Sequence, residues 1–133
     1  MPMLLACNSR PDHRADRGDA ISILEIAPSR YDATGERADG PALADDCRRW
    51  SLTRPQAKTF FALSEPIATT DLHDFDTLPC AIVGRLRADG RIWAFEINGG
   101  ATARLRSGDD VRLLGCRASA CAPLVLSMPL TDD

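Results

Sequence analysis

The segment Asp71-Leu72-His73-Asp74-Phe75-Asp76 gathers three carboxylates around an imidazole. Such a group has the donor chemistry to hold a divalent cation, or to orient His73 as a general base. Its spacing follows no metal-ligand motif, so a solvated acidic connection is the expected reading. Cation binding or catalysis through His73, Asp71, Asp74 and Asp76 is the alternative. The other histidine, His13, lies in a polar stretch near the start of the chain. Five cysteines, Cys7, Cys47, Cys80, Cys116 and Cys121, supply the remaining reactive chemistry. Cys80 is the cysteine nearest His73, and a Cys–His nucleophilic pair would require a free thiolate there.

With Cys7 set aside, four cysteines remain, an even number of the kind an oxidising compartment leaves in a small domain. Four cysteines permit three pairings. The short loop GCRASAC makes Cys116 to Cys121 the easiest closure, which leaves Cys47 to Cys80 as the second bridge. A zinc site would draw on the same four thiolates, but Cys47 and Cys80 are too far apart to form the close pair that zinc ribbons supply. Buried free thiols in a cytosolic protein are the competing reading. The chain has no CxxC motif, and GxSxG, GxxxxGK[ST], HExxH and GxGxxG are all absent. A non-enzymatic protein without a cofactor is therefore expected.

Leu4-Leu5-Ala6-Cys7 resembles the lipobox of bacterial lipoproteins, the site where the signal peptide is cut and the new N-terminal cysteine is acylated. Ala6 and Leu4 suit their positions in that motif, and Leu5 is a less favoured occupant of its own. The resemblance implies lipidation at Cys7, membrane attachment through that lipid only, and a domain facing the periplasm. Asn8, where an aspartate would favour inner-membrane retention, implies the outer membrane. A complete export signal needs a basic region and an apolar stretch of roughly 7 to 15 residues, so the resemblance also implies sequence upstream of Met1. If Met1 is the true start, the match is accidental and the protein is cytoplasmic. The run NSRPDHRADRGD after Cys7 reads as a flexible tether. Residues 1–19 are accordingly expected to be signal remnant plus tether, and residues 20–133 a single α+β domain.

The chain of 133 residues, 44% hydrophobic and 26% charged, is of a size and balance to fold as one domain. A net charge of -3 and few aromatic residues argue against nucleic acid as a partner. Lys58 is the only lysine beside many arginines, a bias to which base composition gives a sufficient explanation.

The elements that must position these residues can be placed from pattern. Residues 20–27, AISILEIA, read as a strand packed on both faces, followed by a long loop through Asp45 and Asp46. Thr53-Arg54-Pro55-Gln56 has capping-box spacing, with Pro55 tolerated in the first turn. Ala57, Phe60, Phe61 and Ser64 then share a helix face that ends before Pro66. Asp89-Gly90 is a type I′ hairpin signal, which sets Leu86 opposite Trp93, Gly84 opposite Phe95 and Ile82 opposite Ile97. The other face carries Arg85, Arg87 and Glu96, with Arg85 diagonal to Glu96. Strands over 101–105 and 111–114 flank a turn containing Asp109 and Asp110, and a last strand runs over 124–128. Five or six strands in an antiparallel sheet, with one helix packed on it, define an α+β fold.

These readings converge on a small disulfide-braced envelope lipoprotein that binds a protein partner in the periplasm, such as an immunity or envelope-assembly factor. The alternative is a small enzyme or a metal- or ligand-binding domain built on the His73 loop.

Overall fold

The computed structural model describes residues 20–32 and 40–129; the lipobox-like segment and the tether lie outside the described residues. In chain order the elements are β1 (Ser22–Ile26), β2 (Arg30–Tyr31), α1 (Gly40–Arg49), α2 (Arg54–Leu63) and β3 (Glu65–Pro66). There follow a 3₁₀ helix (Thr69–Asp74), β4 (Cys80–Ala88), β5 (Arg91–Asn98), β6 (Thr102–Ser107), β7 (Asp110–Gly115) and a second 3₁₀ helix (Ser119–Leu124). The strands form one seven-stranded antiparallel sheet in the order β1-β4-β5-β6-β7-β3, with β2 also pairing β4. The α+β class is as expected.

The β4–β5 hairpin has the anticipated register. Asp89 and Gly90 take φ of 54° and 73°, as a two-residue I′ turn demands, and Leu86 faces Trp93, Gly84 faces Phe95 and Ile82 faces Ile97. A Cβ on Gly84 would overlap the Phe95 ring and the carbonyl of Glu25, so glycine seats the aromatic side chain across the pair. Helix α2 starts as its sequence dictates. Gln56 N donates to Thr53 Oγ1 at 3.2 Å and Thr53 N donates to Gln56 Oε1 at 2.8 Å. Ala57, Phe60 and Phe61 are buried, Phe61 meeting Phe95 edge to face at 5.1 Å between ring centres. Ser64, also buried, donates its hydroxyl to Phe60 O at 2.7 Å, a bond that satisfies a polar group in the core.

Four local expectations change. The stretch read as a long loop contains α1, whose Ala44 and Cys47 are buried while Asp45, Asp46, Arg48 and Arg49 face solvent. The apolar side of α1 is too narrow for a clear periodic signal. β1 is packed on one face, not two: Ser22 and Glu25 are exposed, Ile23 and Ile26 are half-buried, and the register shifts between Ile23 and Glu25. Residues 124–128 are not a ladder strand; the 3₁₀ helix ends at Leu124, and Leu126 N and Ser127 N both donate to Gly99 O at 2.9 and 3.0 Å. Arg85 does not engage Glu96, because β1 brings Glu25 directly opposite it.

One hydrophobic core lies between the sheet and the layer formed by α1, α2 and the second 3₁₀ helix. Two disulfides brace it. Cys47–Cys80 ties α1 to the first residue of β4, and Cys116–Cys121 staples the end of β7 to the second 3₁₀ helix. Trp50 Nε1 donates to Leu124 O at 2.9 Å, joining the same layer to the chain's last described segment. The bridges span separations of 33 and 5 residues, so loop entropy predicts contributions of about 3 to 4 kcal/mol and about 2 kcal/mol. In urea unfolding, Cys47→Ala with Cys80→Ala should lose more stability than Cys116→Ala with Cys121→Ala. Equal losses would contradict the entropic account.

Candidate binding surface

The acidic loop does not assemble a site. Asp71 Oδ2 accepts from Ala68 N at 2.8 Å, capping its own 3₁₀ helix. Asp74 pairs with Arg117 at 3.0 Å, whose guanidinium lies 4.9 Å from the centre of the Phe75 ring. Asp76 accepts from Ser127 Oγ at 2.5 Å. The three carboxylates thus anchor three different contacts, and His73 is exposed beside them. Among the described residues no group of three or more His, Cys, Asp or Glu side chains gathers to hold a metal ion. Cys80 lies in a disulfide, so it offers no thiolate nucleophile. Among the described residues no helix is long and apolar enough to cross a membrane.

Among the described residues the outward side of the sheet is an unfilled surface. Alternation sends Ile82, Leu86, Trp93, Phe95, Ile97, Ala103 and Leu105 into the core, and the intervening residues point the other way. Cross-strand pairing sets these in rows: Val83, Glu96, Arg104 and Leu113 in one, and Arg85, Ala94, Arg106 and Val111 in the next. Arg87 and Ile92 form a third row at the hairpin end. The segment from the first 3₁₀ helix to Leu78 crosses one end of this face, with Leu72 and Thr77 beside Thr102 and Leu113. Leu78 is held there by Asn98, whose side chain accepts from Leu78 N at 3.0 Å and donates to Leu78 O at 2.8 Å. Among the described residues the middle stays open as a shallow trough of about 440 Å³, lined by Arg30, Arg85, Arg104 and Arg106, by the carboxylates of Glu25 and Glu96, and by small Ala94.

At the opposite end of the sheet, on the core side, arginines have a structural task. The Trp93 ring lies between the guanidinium groups of Arg91 and Arg112, at 4.6 and 4.4 Å from its centre. Asp110 and Asp89 pair with those arginines at 2.8 and 3.0 Å. These contacts link the β4–β5 turn to the β6–β7 turn, a part for Asp110 that its place in a turn does not announce. Nothing local predicts it, since the arginines reach their carboxylates across the sheet.

On the open face the one close ion pair among the described residues is Glu25–Arg85, at 2.5 Å. Its hydrogen bond and charge hold the Glu25 carboxyl below the ordinary glutamate range and raise the arginine's own pKa. A carboxyl with a depressed folded-state pKa stabilises the fold above its unfolded pKa and loses that contribution as pH falls through the folded value. Both side chains are more than half or about half exposed, so the effect on stability is small.

Comparison with protein-family models, with the curated proteins and with solved structures gives no match to this chain. The surface is therefore read from its own chemistry. In a carboxyl-detected NMR titration Glu25 should protonate at lower pH than an ordinary glutamate, and Arg85→Gln should return it toward the usual range. An unchanged midpoint in the variant would show that Arg85 does not hold the carboxylate.

Proposed function

We propose that this chain is a small cell-envelope lipoprotein, acylated at Cys7 and facing the periplasm, that works as a non-enzymatic protein-binding module. The observation that carries this reading is the pairing of cysteines. Cys47 with Cys80 and Cys116 with Cys121 account for four of the five, which is the redox chemistry of an exported domain. Cys7 is left outside both bridges, within the lipobox-like Leu4-Leu5-Ala6-Cys7. A lipid there would hold the domain at the membrane, and Asn8 favours the outer membrane as its place.

The binding assignment draws on the engagement of the His73 loop carboxylates in structural contacts and on the open sheet face. An immunity factor, blocking a toxin, and an envelope-assembly factor both fit a small tethered domain of this kind. Fractionation of native cells tests the anchor. The wild-type protein should sediment with membranes and carry a lipid-sized mass increment at Cys7, while Cys7→Ser should move to the soluble fraction with its bridges intact. Identical fractionation of the two, with no added mass, would remove the lipoprotein reading.

A further inference from the structure

We infer that the open sheet face docks an acidic protein segment, one that carries carboxylates interspersed with small apolar side chains. The inference rests on the protein-binding reading above and names its surface and the chemistry of its partner.

The distribution of ion pairs is the first support. Arg48, Arg49, Arg91, Arg112 and Arg117 lie 2.8 to 3.7 Å from a carboxylate, and all lie off this face. On the face itself Arg85 alone is paired with a carboxylate among the described residues. Arg30, Arg87, Arg104 and Arg106 form no ion pair with any carboxylate among the described residues. Arg104 and Arg106 are two positions apart on β6 and so project from the same side, roughly 7 Å apart along the strand. Across β5–β6, Glu96 stands opposite Arg104 and small Ala94 opposite Arg106, so the space beside Arg106 is open to a carboxylate from a partner. The planar guanidinium fork suits bidentate contact with such a carboxylate.

The apolar surface is the second support, independent of charge. Ile92 and Val111 are the large hydrophobic side chains left exposed among the described residues, at 42% and 50%. Both lie on this face, in register rows with Arg87 and Arg106. Exposed aliphatic groups flanked by charged side chains, with small Ala94 between them, form an apolar patch in a polar surround, as at a protein interface. Among the described residues the outward positions of β4 to β7 carry no tryptophan, tyrosine or phenylalanine to enter a bilayer or stack on a base. Four arginines on this face, Arg30, Arg87, Arg104 and Arg106, have no carboxylate partner among the described residues, and they outnumber its carboxylates Glu25 and Glu96, a balance that favours encounter with an acidic partner there.

The test selects random peptides on the immobilised full chain with both bridges formed, then measures binding of the enriched peptides to wild type, R104E/R106E and R104Q/R106Q. All three proteins are checked for intact disulfides and unchanged melting. Because Arg104 and Arg106 are exposed, the fold should tolerate both changes, and the glutamine variant is read if the charge reversal unfolds the domain. Vesicles of neutral lipid with a minor fraction of phosphatidylglycerol are tested alongside. The expected result is enrichment of peptides rich in aspartate and glutamate with interspersed aliphatic residues, and binding weaker by about ten-fold or more in the variants. Peptides with no acidic preference, or affinity that ignores both variants, would overturn the inference. Arginine-dependent binding to the anionic vesicles without peptide binding would also overturn it and assign the face to lipid. Those results would leave the protein-binding reading to another surface, whereas absence of lipid at Cys7 would remove the anchor without touching this face.

Discussion

The Cys47–Cys80 bridge is the constraint on which the rest of the structure depends. Cys80 opens β4, the strand that carries β1 and β2 on one side and β5 on the other. Cys47 lies on α1, a helix with a polar exterior and few residues to bury. Such a helix gains little from propensity or packing alone. The covalent tie fixes it over the sheet, both sulfurs lying within the core, and in doing so places Trp50 to donate to Leu124 O. Cys116–Cys121 then holds the chain's return under the same layer.

Bracing one side of the sheet has a consequence for the other. A chain of this size supplies apolar residues for one core, and here that core is built from α2, α1, the second 3₁₀ helix and the inward-facing residues of β4, β5 and β6. The outward residues of the same strands are arginine, glutamate, alanine and short aliphatics. A half-covered antiparallel sheet is stable in water in this state. The strands are paired along their length and packed on the core side, and a preorganised face loses little conformational freedom on binding.

Much of this was legible where the governing interactions are local. The Thr53–Gln56 box, the Asp89-Gly90 turn and the facing pairs of β4 and β5 are set by residues close in sequence or by strict alternation. The pairing of the four domain cysteines was one of three that the sequence left open, with the short Cys116–Cys121 closure the easiest, and the structure has that closure. α1 was hidden because Ala44 and Cys47 are the whole of its described buried stripe, and a bridged cysteine does the anchoring that several leucines do elsewhere. The apolar run at 124–128 suggested a strand, yet its backbone meets the β5–β6 turn at Gly99 instead of a ladder. The partner of Arg85 lies 60 residues away. The meeting of Arg30, Arg85, Arg104 and Arg106 around one trough arises only once the strands are set side by side, which no single stretch of sequence encodes.

The central claim is that this domain is oxidised where it works, with its bridges in the observed pairing. Protein taken from its native cell, with free thiols alkylated at lysis and digestion carried out without reductant, can be mapped by mass. The account predicts a Cys47 peptide joined to a Cys80 peptide, an internal Cys116–Cys121 link, and no alkylation at any of the four. Alkylated Cys47 and Cys80, or a different pairing, would contradict it.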